Sequence, residues 1–152
     1  MTMNLAHPTD LLGLVGQTIG TTGTLKIAQD QVNLFADATG DHQWIHTDPE
    51  RAACGPFGST IAHGYLTLSL APSVLAEVLT VDGVHAALNY GLNKVRFPAP
   101  VPVGSALRVT VSVAAAQRKP AGVEAVFGLT YQVDGGTRPF CVADVVVLYT
   151  WP

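Results

Sequence analysis

The most constraining feature of the chain is residues 61–79, which are apolar on nearly every side of a helical projection. A helix of that kind has no face to offer to water, so it belongs in the middle of a fold. The 70 residues that follow have a different period. Leu107, Val109, Val111 and Val113 alternate with Arg108, Thr110 and Ser112. Val123, Ala125, Phe127, Leu129, Tyr131 and Val133 alternate with Glu124, Gly128, Thr130 and Gln132. Alternation of this kind marks half-buried strands. With the turn signal Asp134-Gly135-Gly136, a Val-rich stretch at 140–151 and an extended stretch at 85–97, it gives four strands joined by short connections. The expected class is α+β: one antiparallel sheet wrapped around a long central helix, in a single domain spanning 1–152. Residues 1–12 read as a loose lead-in.

The other elements are smaller. Val32, Phe35, Ala36 and Thr39 fall at i, i+3, i+4 and i+7, which predicts a helix over 29–39. Asp30 lies in its first turn and Gly40 follows as a stop signal. No period holds between Asp41 and Ser59, although Pro49 suits the first position of a short helix over 48–53.

Composition limits function. Charged residues make up 12% of the 152, against roughly 25% in an ordinary soluble protein, while 48% are hydrophobic. A chain this poor in polar surface is expected to hide part of itself in an oligomer, most simply a homodimer. The net charge of -3 argues against nucleic acid as the main partner, because phosphate binding needs a basic face. His63, Gly64, Pro72 and Glu77 interrupt the apolar stretch at 62–81, so it is read as a buried helix rather than a membrane anchor. The two cysteines, Cys54 and Cys141, form no framework and fit free thiols in a reducing cytoplasm.

The polar chemistry is concentrated in two patches without regular period. One is Thr39-Gly40-Asp41-His42-Gln43-Trp44-Ile45-His46-Thr47-Asp48. The other, Ser59-Thr60-Ile61-Ala62-His63-Gly64, stands where the central helix should begin. Asp41 follows the carbonyl end of a helix, where the negative potential makes a carboxylate a better proton acceptor. Imidazole is the side chain that ordinarily titrates near neutrality. Five residues separate Asp41 from His46, which lets both reach one water molecule as a general acid–base pair. The plainer alternative is a solvated loop in which Asp41 makes an Asx-turn.

Gly64 falls among the first N–H groups of the expected helix, which have no intrahelical partner, and its missing side chain admits a ligand carbonyl. The alternative is a glycine kept for helix packing. Lys94 and Arg96, two apart in a strand, share a face and suit a phosphate, or else a solvated edge. His42 and His46 have metal-ligand spacing but no helix to carry it and no third ligand, and no metal or other cofactor is expected. Nothing around Cys54 argues for an activated nucleophile.

Phe35-Ala36-Asp37-Ala38-Thr39-Gly40-Asp41 followed by Ile45-His46 resembles the signature of the MaoC-like, type 2 (R)-specific enoyl-CoA hydratases. Ile61-Ala62-His63-Gly64-Tyr65 is similar to the family's second signature. The stretch from Asn89 to Val101, with Lys94 and Arg96 inside it, is similar to the third. The likeness runs from about Gly13 to Tyr149. It is nearest to the branch containing NodN-type nodulation proteins and mycobacterial single-domain hydratases. One departure stands out: Gln43-Trp44 occupies the place where the family usually has Asn-Pro.

The resemblance implies a hotdog fold, paired as a dimer with the two sheets joined. It implies Asp41 and His46 as the catalytic pair and Gly64 as backbone donor to the thioester carbonyl. Ile61, His63, Lys94 and Arg96 then lie on the substrate side. The implied reaction is hydration of a trans-2-enoyl-CoA to an (R)-3-hydroxyacyl-CoA, without a cofactor. A hotdog thioesterase and a non-catalytic acyl-thioester binding subunit are the rival readings.

Overall fold

A computed structural model describes all residues, 1–152. The four long strands are β5 (Ala86–Arg96), β6 (Ala106–Lys119), β7 (Gly122–Val133) and β8 (Pro139–Thr150), preceded by the short strands β1 (Met3–Leu5), β2 (Thr18–Thr21), β3 (Leu25–Lys26) and β4 (Leu79–Val81). The main sheet runs β2-β6-β7-β8-β5, with β3 also pairing with β6. Every pairing in it is antiparallel.

The alternation seen in sequence sets the register. Leu107, Val109, Val111 and Val113 of β6 are fully buried beside Phe127, Leu129 and Tyr131 of β7. Arg108, by contrast, lies on the outer face and pairs with Asp134 at 2.8 Å. Period-2 alternation puts the apolar set on one side, and that side faces the helices.

The helices are α1 (Gln29–Thr39), α2 (Trp44–Thr47), α3 (Pro49–Ala53), α4 (Gly64–Ser69) and α5 (Ala71–Val78), with a 3₁₀ helix at Pro8–Leu14. Helix α1 ends as expected, with Gly40 in the left-handed region at φ 83° and its N–H returned to the Ala36 carbonyl. Asp48 caps α3 by accepting from the Arg51 N–H, with Pro49 just inside.

The long central helix expected over 61–79 is instead two helices that meet at Leu70. Pro72 is the reason. It has no N–H for the Leu68 carbonyl, and its ring would crowd that carbonyl in a continuous helix. The same proline is accepted in the first turn of a new helix. Residues 61–63 lie outside the helix. Ile61 forms an isolated bridge with Pro102, and the Ala62 N–H donates to the Val101 carbonyl at 2.8 Å. Helix α5 packs Val74, Leu75 and Val78 on the sheet, while Leu66 of α4 joins a smaller cluster with Val32, Ile27 and Val101.

The loose lead-in over 1–12 is also corrected. Strand β1 pairs in parallel with β4, and Leu11 in the 3₁₀ helix is fully buried in the main core. His7 and Asp10 form a reciprocal cap at the start of that helix. No helix of the chain is long and apolar enough to cross a membrane.

Candidate active site

Asp41, His46 and His63 come together where the α1–α2 connection meets the segment before α4. One carboxylate oxygen and one ring nitrogen from each histidine all lie within 4.8 Å of one another. Asp41 is exposed, whereas His46 and His63 are 7% and 3% exposed. The carboxylate faces solvent on one side and two buried imidazoles on the other.

Hydrogen bonds hold each ring. The His46 Nδ1–H donates to the Ile61 carbonyl at 2.6 Å, which leaves Nε2 with its lone pair in the neutral ring. The His63 Nε2–H donates to the backbone carbonyl of Asp41 at 2.9 Å. The rings stack with centroids 3.9 Å apart, and Phe35 packs on the far side of His63. Asp41 also makes the Asx-turn that was the plainer alternative, its Oδ1 accepting from the Gln43 N–H at 3.3 Å. The turn and the approach to the two histidines therefore coexist.

Gln29, at the start of α1, ties the two patches together. Its side-chain amide donates to the His46 carbonyl at 2.7 Å, and its oxygen accepts from the Thr60 hydroxyl at 2.7 Å. The Ile61 N–H donates to the Ile45 carbonyl at 2.9 Å. The strand-like segment that accepts from His46 is thus fastened on both sides. Trp44 opens α2, with the Arg51 guanidinium 4.3 Å from its ring centroid. A Cβ at position 55 would meet that ring at 3.0 Å, so Gly55 is what lets Trp44 sit there. This packing fixes the loop at the position where the family signature usually has proline.

A cavity of about 330 Å³ opens beside His46. Ile61, Gly64, Thr67, Phe97, Val101 and Phe140 are among its walls. Gly64 is the first residue of α4, and Phe97 lies 3.2 Å from where its Cβ would be. A side chain there would require the Phe97 ring to give way. Asp41 is not part of the cavity wall; it stands at the solvent side of His46.

As ligands of a single ion the three residues are poorly aimed. The rings stack with centroids 3.9 Å apart and planes only 26° apart, so the two planes run nearly alongside each other. A metal needs to lie in both planes, about 2.0–2.1 Å from each nitrogen. His42, the other half of the histidine pair noted in sequence, is exposed and lies 3.8 Å from the Asp37 carboxylate. Lys94 and Arg96 do share a face, as predicted, but it is a separate hollow, which they line with Val142 and Asp144. Sequence reasoning missed Gln29 and Thr67. Glutamine at a helix start carries no signal of its own, and Thr67 is masked by its apolar neighbours.

The MaoC like domain family matches residues 11–131, which contain Asp41, His46, His63 and Gly64. The chain belongs to the MaoC-like dehydratase family. It is 55% identical to 3-hydroxyacyl-thioester dehydratase Z of Mycobacterium tuberculosis over 141 residues, 92% of this chain and 93% of that one. It is 37% identical to nodulation protein N of Rhizobium leguminosarum bv. viciae, over 91% of this chain and 88% of the other. Among solved structures it is similar to the unliganded R-hydratase PhaJ1 of Pseudomonas aeruginosa, with a TM-score of 0.73 and 27% identity, covering 91% of this chain and 83% of that one. This MaoC-like protein is therefore a hydratase/dehydratase with the hotdog fold.

Proposed function

We propose that the protein adds water across the 2,3 double bond of a trans-2-enoyl-CoA to give an (R)-3-hydroxyacyl-CoA, and runs the reverse dehydration at the same site. The observation that carries this is the Asp41 carboxylate within 4.8 Å of two buried imidazoles, one of them tied through Nδ1 to a carbonyl. That tie leaves His46 Nε2 free to act as the base. Asp41 holds the water by accepting one of its hydrogens. Nε2 takes the other proton as the oxygen bonds to C3. The electron pair of the double bond moves to C2 and onto the thioester oxygen, which the Gly64 N–H stabilises. The proton then returns to C2 from the same side, completing a syn addition that needs no cofactor.

Acid–base assistance is worth about 10²–10⁴-fold and one oxyanion donor about 10²–10³-fold. Asp41→Asn and His46→Gln are each expected to lower the hydration rate of crotonyl-CoA by at least about 10²-fold while the protein stays folded. Normal hydration by both folded variants overturns the assignment. Release of free CoA thiol instead of hydration would mark a thioesterase. Chiral analysis of the product decides the (R) configuration.

Ile61 and His63 border the reacting end of the substrate. Lys94 and Arg96 are assigned to the CoA phosphates, since Arg96 is followed by Phe97, which lines the cavity. Asp144 in the same hollow opposes that role. Replacing both cations by Ala is expected to raise KM for crotonyl-CoA several-fold and leave KM for a thioester lacking the nucleotide unchanged. Equal KM for crotonyl-CoA returns them to a solvated edge.

The exposed edge strand β5 supports a homodimer. Leu88, Tyr90 and Leu92 on it are 48%, 63% and 51% exposed, and one side of its backbone has no partner strand. The acyl-CoA substrate and the free cysteines point to the cytoplasm as its place of work.

A further inference from the structure

The proposed reaction leaves one polar group of the cavity unused. Thr67 is 1% exposed, and its hydroxyl makes no hydrogen bond. A helical threonine usually satisfies its hydroxyl on the carbonyl four residues earlier. Here that carbonyl, of His63, receives the Thr67 backbone N–H at 3.2 Å, and the hydroxyl does not share it. An unpaired buried hydroxyl is costly, so each one calls for an explanation such as a bound water or ligand.

Its location says what that is. The cavity beside His46 is lined by eleven residues, and among them only His46 and Thr67 carry polar side-chain atoms. Gly64 and Thr67 are three residues apart on α4 and share one face. Helical side chains lean toward the N-terminus, so the Thr67 hydroxyl reaches back along that face toward Gly64. A ligand entering from His46 meets apolar walls everywhere except at this hydroxyl and the backbone at Gly64.

We propose that the Thr67 hydroxyl is a substrate-binding group that donates its hydrogen to the carbonyl oxygen of the acyl thioester. This rests on the hydratase reading above and adds a side-chain donor to it. A hydrogen bond that strengthens as charge gathers on the thioester oxygen acts on kcat as well as on binding. It also gives Thr67 an uncommon signature. The isosteric Thr67→Val removes a buried unpaired hydroxyl, so it should hold or raise the melting temperature while slowing the enzyme. A hydroxyl kept for structure would do the reverse.

The test compares wild type, Thr67→Val and Thr67→Ser for crotonyl-CoA hydration, melting temperature and affinity for butyryl-CoA, which cannot be hydrated. Thr67→Val is expected to lower kcat/KM on the order of 10²-fold with no loss of melting temperature, and Thr67→Ser to keep most of the rate. Thr67→Val within twofold of wild type overturns the proposal, as does a loss of rate accompanied by a lower melting temperature in both variants. If wild type binds butyryl-CoA without hydrating crotonyl-CoA, the hydratase reading fails. Thr67 is then judged on affinity alone: about tenfold weaker binding by Thr67→Val supports it and equal binding overturns it. No binding of either thioester by wild type overturns both.

Discussion

At the scale of single residues, the site is made by polar atoms that have somewhere to go and a few that do not. His46 is held through its ring by Ile61 and through its carbonyl by Gln29, and Gln29 is itself fastened to Thr60. Gln29 touches no reacting atom in the proposed mechanism; it acts by positioning. Gln29→Leu is therefore expected to lower kcat on the order of 10- to 100-fold through misplacement of His46, while KM moves less than threefold. Steady-state kinetics on crotonyl-CoA checks this, and an unchanged kcat would make the clamp incidental. Asp41 and His46 were legible as neighbours because they are only five positions apart, one just after α1 and the other in α2. Gln29 was not, since its partners are 17 and 31 residues away and only the fold brings them near.

At the scale of elements, periodicity was read well wherever one face is buried. The helix over 29–39 and the strands β6 and β7 follow the apolar period closely, whereas β5 and β8, read only as an extended and a Val-rich stretch, show no such alternation. It failed where every side is apolar. The stretch over 61–79 gives no phase from which a break can be read, and only Pro72 marked the joint at Leu70. The short helix α2 was missed as well, because four residues are too few to show a period. The sheet interior carries its own prediction. Burial pushes the Cys141 thiol up to about 11 from its ordinary 9.0, and Tyr149 up to about 12. The unfolded chain gives up these protons first, so the native state loses ground as pH rises. Stability from Cys141 should be complete below about pH 9 and decline as pH rises from about 9 to about 11. Melting temperature measured across that range should fall, and Cys141→Ala should flatten that part of the decline. At neutral pH, exposed Cys54 should react with a thiol reagent in the folded protein and Cys141 only after unfolding.

At the scale of the whole molecule, the shortage of charge and the open edge of the sheet tell the same story. Strand β5 has eleven residues, nearly all exposed, although its neighbour β8 is mostly buried. Two register irregularities interrupt the β5–β8 ladder, between Asn89 and Gly91 and between Leu92 and Lys94. Light scattering is expected to give about twice the 15.9 kDa chain mass. The double substitution Leu88→Lys/Tyr90→Lys should bring it down to that of one chain, because charges at the joint oppose burial. A single-chain mass for the unmodified protein removes the homodimer reading.

An open strand offers amide and carbonyl groups that every polypeptide possesses, so main-chain pairing along β5 discriminates poorly between an identical copy and a divergent cousin. In the proposed homodimer, fidelity of assembly would fall to a handful of side chains, Leu88, Tyr90 and Leu92 foremost. If the proposed homodimer forms through β5, change at those three positions would alter which chain it pairs with while leaving the residues around Asp41 in place.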